Sequence, residues 1–198
     1  FYDVQKGEIR VDDVPVKELP QSWLRRHTGI MLQDPWVFTD TIEANVRMRD
    51  PSISSHTVRQ AAEAVGANIF IEKLSEGYNT HMSERGANFS TGQKQLISLA
   101  RVAAFDPQIV LVMDEATASI DPETEAIIQE GLANVMEGRT SVIIAHRLNT
   151  IRNVDRILVF HQGELVEDGT HEELMGNKHI YSQLYELQYG VPPITKTT

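Results

Sequence analysis

Two adjacent carboxylates, Asp114 and Glu115, directly follow a run of five apolar residues, Ile109 to Met113. Such a run is typical of a buried strand, where a terminal carboxylate is costly unless it is paired or faces a cation. Two together indicate a Mg²⁺ site, in which Asp114 serves the metal through its water shell and Glu115 polarises the water that attacks a phosphoryl group. The alternative is that both cap the next turn or pair with arginine, and the pattern alone leaves both interpretations open.

A second group of polar residues lies at 90–95, ahead of a helix-like apolar pattern. Ser90 and Gln93 match a capping box, which predicts that a helix begins there. The free N–H groups of a helix start, with the Ser90 hydroxyl and with Gly92 allowing close approach, are also typical of an anion site suited to phosphate. Taken alone, the pattern favours the alternative, a well-capped helix without a ligand.

Three more residues are candidates at the ends of predicted elements. His146 follows the apolar run 141–145, where it can donate to a γ-phosphate and orient water, or simply be a hydrogen-bonded structural histidine. Gln33 is either a ligand of metal or water or an ordinary loop residue. Asp121 before Pro122 needs no chemistry, because the pair fits the N-cap and first position of a helix.

The elements that must position these residues follow from the apolar patterning. The runs 109–113 and 141–145 do not alternate, which predicts strands buried on both faces, as in a parallel sheet flanked by helices. The texture from 41 to 106 is helical. Further strands are predicted at 8–11, 30–32, 156–160 and 164–167, the last two as a hairpin, and helices near Glu172 and Tyr181. The result is an α/β core with a helical insertion, whose polar residues converge at the carboxyl ends of strands.

Composition excludes several classes of protein. The chain has 18 Lys+Arg and 28 Asp+Glu, for a net charge of −10, which argues against a nucleic-acid partner because neutralising phosphates needs clustered cations. Zero Cys excludes a disulfide scaffold, a Cys-based zinc site and a cysteine nucleophile. The sequence shows neither a signal peptide at its start nor an apolar run long enough to span a membrane.

Taken together, five motifs resemble those of the nucleotide-binding domain of an ATP-binding cassette (ABC) transporter, in that family's order. The matches to the Q-loop, signature, Walker B, D-loop and H-loop are Leu32-Gln33-Asp34, Ser90-Thr91-Gly92-Gln93, Ile109 to Glu115, Ser119-Ile120-Asp121 and Ala145-His146-Arg147. Glu84-Arg85-Gly86 is similar to a short motif of the exporter branch. The resemblance covers nearly the whole chain.

The resemblance implies a fold and a domain organisation. We expect a P-loop NTPase-type α/β core with a parallel sheet, its N-terminal part missing, formed by residues 1–40 and 106–190. A helical subdomain carrying the signature would occupy residues 41–105, and residues 191–198 would be a flexible tail.

It also implies roles at this chain's own ATP site. Asp114 would serve the Mg²⁺ shell, Glu115 would be the general base and His146 would contact the γ-phosphate. Gln33 would sense metal and water and relay the state of the site to membrane-spanning segments.

In this family two such domains sandwich two ATP molecules head to tail. Ser90, Thr91, Gly92 and Gln93 would therefore act on nucleotide held by the partner domain. Ser119 and Asp121 would lie on the dimer interface. ATP-driven closing and reopening of this sandwich would power export, with the domain at the cytoplasmic face of the cell membrane, attached through an upstream transmembrane domain.

The sequence departs from the family pattern in its phosphate loop. No G-x-x-x-x-G-K-[ST] occurs anywhere, so the loop whose N–H groups and Lys cradle the phosphates is absent. Phe1-Tyr2-Asp3 resembles the segment just after the Walker A helix, and we expect the chain to be cut there. We therefore predict that the chain alone does not hydrolyse ATP.

The signature itself also departs from the pattern, because Thr91 stands where the family usually has glycine. Glu115 and His146 are intact, and in heterodimeric exporters the subunit with a complete Walker B and H-loop commonly carries the altered signature. This combination predicts one half of a heterodimer. The alternatives are a soluble cassette ATPase acting on DNA or ribosomes and a non-catalytic truncated cassette that binds a partner. Drug, lipid and peptide export all remain open.

Overall fold

A computed structural model describes residues 3–32, 35–114, 120–145 and 151–190. The chain divides into two compact units: Phe1–Met113 with Thr117–Ile143, and Asp114–Ala116 with Ile144–Thr198. The predicted tail, 191–198, lies outside the described residues.

The first unit opens with a two-residue ladder, in which β1 (Arg10–Val11) pairs antiparallel with β2 (Val14–Pro15). Asp12 and Asp13 between them have φ of 47° and 64°, so the chain reverses at once. The strand predicted at 8–11 is therefore too long, because this left-handed turn leaves room for only two paired positions. A short helix, α1 (Gln21–His27), then leads into β3 (Thr28–Met31).

Helices follow β3, as the texture from 41 onward predicts. They are α2 (Ile42–Arg47), α3 (Ser55–Ala64), α4 (Asn68–Ile71) and α5 (Thr91–Phe105), with single 3₁₀ turns at Gly77–Asn79 and Glu84–Gly86. The apolar spacing predicted the buried face of α3 correctly: Val58 and Ala62 are 0% exposed and Ala61 is 7% exposed. The buried face of α3 is therefore the apolar face of its sequence.

A three-stranded sheet, in the order β3, β4, β5, supports these helices. β4 (Ile109–Asp114) runs parallel to β3, in a register from Thr28 opposite Ile109 to Met31 opposite Val112. The helix α6 (Pro122–Met136) lies between β4 and β5 (Thr140–Ala145) in the sequence. The mixed α/β architecture with a parallel pair of strands is confirmed.

Full burial of both apolar runs was predicted, and for β5 that prediction is wrong. On the central strand β4, Val110 is 0% exposed, whereas on β5 Val142 is 52% and Ile144 59% exposed. β5 is an outer strand in the sheet order, so it has a neighbouring strand on one side among the described elements. Its side chains alternate between exposed and half-buried instead of being covered on both faces.

The core of the first unit is centred on α5. Leu96, Ile97, Leu99 and Ala100 are all 3% exposed or less, so this helix is covered nearly all round over its middle turns. At Gly29 of β3 an added Cβ would lie 3.0 Å from a Val102 methyl of α5, which brings the helix close against the strand.

The second unit is a hairpin with two helices. β6 (Ile157–His161) and β7 (Glu164–Gly169) are antiparallel, and the predicted hairpin is confirmed within a residue or two of its predicted ends. The helices α7 (His171–Asn177) and α8 (Ile180–Tyr189) follow, as predicted near Glu172 and Tyr181. Within the described ranges, no helix is long and apolar enough to cross a membrane.

Candidate functional site

Several of the predicted site residues fall outside the described part of the chain. Gln33, Glu115, Ser119 and His146 are among them, so their roles stay predictions. Asp114 is the last residue of β4, at the carboxyl end of a strand, where the sequence predicted it.

The start of α5 is the best-described part of the site. The Ser90 hydroxyl accepts a hydrogen bond from the Gln93 backbone N–H at 3.2 Å, and the Gln93 side-chain oxygen accepts one from the Ser90 N–H at 3.0 Å. The predicted capping box is therefore present. It occupies both polar side chains, while the N–H groups of Thr91 and Gly92 have no acceptor within the helix.

Gly92 is buried against another helix. A Cβ at this position would lie 2.5 Å from Cγ2 of Thr124 in α6 and 3.4 Å from Cγ2 of Ile120. The sequence predicts that this glycine lets an anion approach, but the neighbouring helix start fills the space beside its Cα. The missing side chain lets the first turns of α5 and α6 pack side by side.

Asp121 caps α6, as its position before Pro122 predicts. Its carboxylate accepts a hydrogen bond from the Thr124 backbone N–H at 2.9 Å. This bond to the Thr124 N–H, followed by the interaction with the Thr124 side chain, lowers the pKa of Asp121.

The two adjacent helix starts differ in charge. The first turn of α6 carries Glu123 and Glu125 in addition to the Asp121 cap, whereas the first turn of α5 has no acidic residue. A helix start presents partial positive charge, which acidic side chains cancel. The start of α5 is therefore the one suited to a phosphate.

Thr91 is the first residue of α5 and is half-buried. The departure from the signature pattern therefore falls in the first turn of α5, the turn that carries the candidate anion site.

A network that sequence reasoning missed holds the segment just after Gln33. Asn45 of α2 is 0% exposed and bonds both backbone groups of Phe38, accepting from its N–H at 2.7 Å and donating to its carbonyl at 2.9 Å. Arg101 of α5 donates to the Asn45 carbonyl at 2.7 Å and to the Trp36 carbonyl. The sequence does contain one sign of this network: Arg101 stands in an otherwise apolar stretch of the predicted helix, where a charged side chain needs a partner.

Beside this network lies a cavity of about 480 Å³ in the first unit. Its lining includes the exposed apolar side chains Leu32, Trp36 and Met48, which are 47%, 60% and 52% exposed. Arg25 also lines it. The cavity lining is therefore mixed, with exposed apolar side chains beside a basic one.

Comparison with known proteins identifies the family. Residues 1–118 match the family model described as ABC transporter. The chain is 50% identical over 190 residues to a Bacillus subtilis protein named probable multidrug resistance ABC transporter ATP-binding/permease protein YheH, covering 96% of this chain and 28% of that protein. It is 42% identical over 189 residues to the leukotoxin translocation ATP-binding protein LktB of Mannheimia glucosida, covering 95% of this chain and 27% of that protein.

Among solved structures, a bacterial Atm1-family ABC exporter with ATP bound is similar to this chain. The TM-score is 0.86 at 37% identity, covering 94% of this chain and 33% of that one. The chain thus spans about a third or less of the length of these relatives. The family match, the exporter relatives and the fold together lead to one conclusion: the chain belongs to the ABC transporter family, as an ATP-binding domain of the exporter type.

Proposed function

We propose that this chain is the ATP-binding and ATP-hydrolysing domain that powers substrate export across a membrane by ATP-driven dimerisation. The observation that carries the proposal is the start of α5, whose first turn is capped by Ser90 and Gln93, lacks acidic residues and has free N–H groups. In a chain of this family, that turn is the part that meets nucleotide held by a partner. Closing on ATP and reopening after hydrolysis shifts the transporter between two states.

The chain's own catalytic residues in this proposal are Glu115, His146 and Gln33, with Asp114 and Gln33 serving Mg²⁺. The donor set fits the ion, because Mg²⁺ prefers oxygen ligands and takes only one or two protein carboxylates besides phosphates and waters. Bound Mg²⁺ would neutralise the charge of the phosphates, while Glu115 draws a proton from the attacking water.

A second nucleotide-binding domain is the partner. Ser90, Thr91, Gly92 and Gln93 act on the nucleotide of that domain, with Gly92 setting the packing of the turn and Thr91 facing the phosphate. Ser119 and Asp121 lie at the dimer interface in this proposal.

We infer from Thr91 that the partner is a different chain. A threonine side chain on the phosphate-facing turn keeps the backbone N–H groups from the close approach that glycine permits, so the partner's ATP site is the weakened one. Replacing Thr91 with glycine in the heterodimer should raise turnover at that site. Efficient transport and hydrolysis by a homodimer of the full protein would contradict the assignment.

A membrane-spanning domain of the same transporter is the other partner. The cavity beside Trp36 and Met48 would receive a segment of that domain, since its rim is apolar and exposed. Two further observations support a membrane-spanning partner. A relative is named as a combined ATP-binding/permease protein, and the net charge of −10 disfavours a nucleic-acid partner. The domain would then lie at the cytoplasmic face of the cell membrane.

The decisive test uses the transporter that contains this domain. Glu115→Gln should lower the kcat of Mg²⁺-dependent phosphate release at least about 100-fold, the usual effect of removing a general base, and leave nucleotide affinity nearly unchanged. Glu130→Gln on the exposed side of α6 is the matched control and should retain activity. Equal activity in the two variants would refute the catalytic assignment.

The 198 residues alone should be inactive, because no Lys of a phosphate loop is present to hold ATP. Titration of a fluorescent ATP analogue into the chain, alone and mixed with an intact cassette, separates the remaining alternatives. Binding only in the mixture favours a subunit completed by its partner, and binding of the partner without nucleotide favours a non-catalytic module. Robust Mg²⁺-dependent hydrolysis by the chain alone would contradict the prediction.

A further inference from the structure

The segment 35–41, which follows Gln33 by two residues, is held by side chains over residues 35–38. At its end the Asp40 carbonyl accepts a hydrogen bond from the Met82 N–H at 2.9 Å, and Thr41 forms a bridge with His81. Residues 35–38 of the segment, all described, lie in neither a helix nor a strand. Their backbone groups still need partners, since an unpaired buried polar group is costly. Asn45 and Arg101 supply them.

Asn45 acts toward this segment as a neighbouring strand would. It pairs with the N–H and the carbonyl of Phe38, and its side-chain N–H₂ group also donates to the Thr41 carbonyl at 3.0 Å. The residue is fully buried within α2. The segment is thereby fixed to α2 at two points.

Arg101 ties the same assembly to α5. Its guanidinium donates to the Asn45 backbone carbonyl at 2.7 Å, to the Asn45 side-chain oxygen at 2.8 Å and to the Trp36 carbonyl. It also lies over the Phe38 ring, 5.7 Å from the centroid. One planar fork therefore joins α5, α2 and the 35–41 segment, a task for which a lysine has too few fixed donors.

Burial lowers the pKa of the Arg101 guanidinium to about 10, which still leaves it charged at neutral pH. A half-buried charge with three backbone or amide acceptors is strongly bound, and removing it leaves those acceptors unpaired. Arg101 lies eleven residues along α5 from Ser90, or about 16 Å of helix.

We propose that the Arg101–Asn45 pair is a rigid joint that makes the 35–41 segment and the signature end of α5 move as one body. Both are positioning residues: neither touches the nucleotide, but together they let an event at Gln33 displace the first turn of α5. The inference rests on the proposed function, because it supposes that this turn must be delivered to a partner's ATP. Loosening the joint leaves ATP binding intact and uncouples it from assembly of the hydrolytic site.

The experiment compares Arg101→Met and Asn45→Asp with Arg139→Met in the intact transporter. Arg139 is the matched control, because it is also half-buried, donates to the Val135 carbonyl and bonds the Asp106 carboxylate at 2.6 Å, away from the 35–41 segment. Asn45→Asp is the second variant: it keeps an oxygen for Arg101 and for the Phe38 N–H, but it loses the donors and turns a carboxylate oxygen toward the Phe38 and Thr41 carbonyls.

Both joint variants should lower the kcat of ATP hydrolysis at least tenfold and change the Kd of a fluorescent ATP analogue less than twofold. Hydrogen exchange in the 35–41 peptide should accelerate at least tenfold while the middle of α5 stays protected. Arg139→Met should keep kcat within twofold, even if its melting temperature falls.

Three results would overturn the joint: unchanged exchange in 35–41, kcat retained in both variants, or kcat and affinity falling in parallel with loss of protection throughout α5. A wild-type transporter that neither binds nor hydrolyses ATP would instead refute the proposed function, and the joint with it.

Discussion

Gly92 has two possible roles, to let phosphate approach the turn or to let α5 pack against α6, and one substitution distinguishes them. In Gly92→Ala the new methyl carbon would lie 2.5 Å from Cγ2 of Thr124, far inside van der Waals contact. Overpacking of this kind costs about 1–3 kcal/mol, and the better helix propensity of alanine returns up to about 1 kcal/mol. The net destabilisation therefore lies between about 0 and 3 kcal/mol, and we expect about 1–2 kcal/mol because the contact is so short.

The shortest contact is with Cγ2 of Thr124, a methyl group that can be removed while the Thr124 hydroxyl is kept. Thr124→Ser deletes Cγ2, and the double variant should therefore recover most of the stability that Gly92→Ala loses. Urea unfolding of the four proteins forms a double-mutant cycle, and residues in contact give coupling energies of about 0.5–3 kcal/mol. Phosphate release by the assembled transporter, measured on the same four proteins, should follow the same order.

The result that would refute this reasoning is additivity. If Gly92→Ala and Thr124→Ser combine without coupling, the two first turns do not depend on each other. If stability is rescued but hydrolysis is not, the glycine serves the approach of phosphate, as predicted from the sequence, and not only the approach of the two helices.

Three other predictions follow from helix starts and helix contacts. Ser90→Ala removes half of the capping box and should cost about 1 kcal/mol of unfolding free energy in urea titrations, whereas Ser90→Asp, which can still cap, should cost less. Gly131→Ala should destabilise by about 1–3 kcal/mol, because its methyl would lie 2.9 Å from the Val65 carbonyl oxygen, a backbone atom that cannot rotate away; a variant as stable as wild type would contradict the contact. Because the pKa of Asp121 is lowered in the folded chain, its stabilising contribution is present above the ordinary aspartate pKa of 3.8 and is lost as pH falls through the lower folded-state value. Asp121→Asn should therefore flatten the loss of stability in acid melts, and an unchanged acid limb would show that the cap does not titrate in this range.

Local rules predicted the ends of the helices well. Ser90 with Gln93 and Asp121 with Pro122 are patterns in which a side chain satisfies a backbone group three residues away, so a single stretch of sequence contains all the partners. The hairpin of β6 and β7 was found for the same reason: Gln162 and Gly163 both have positive φ, 50° and 86°, as a tight turn between strands requires.

Properties that depend on residues far apart in sequence were not predicted. The burial of β5 depends on its outer place in the sheet, and an apolar run such as 141–145 is the same wherever the strand lies. The contact of Gly92 with Thr124 and the bonds of Arg101 to Trp36 and Asn45 join segments separated by 32 or more residues. The residues in these contacts are small or polar. Such residues are equally common in caps and loops and on exposed surfaces, so their partners cannot be identified from the sequence.

The central helix α5 has one further consequence. It begins with the turn proposed to meet nucleotide, and the residues behind that turn, from Leu96 to Ala100, are among the most deeply buried in their unit. Substitutions at these buried residues would therefore shift the first turn of α5. Substitutions at residues of the turn that are not buried leave its position unchanged. In the proposed function, the half-buried Thr91 at the start of that turn changes one ATP site of a pair by a single substitution, while the buried residues behind it stay the same.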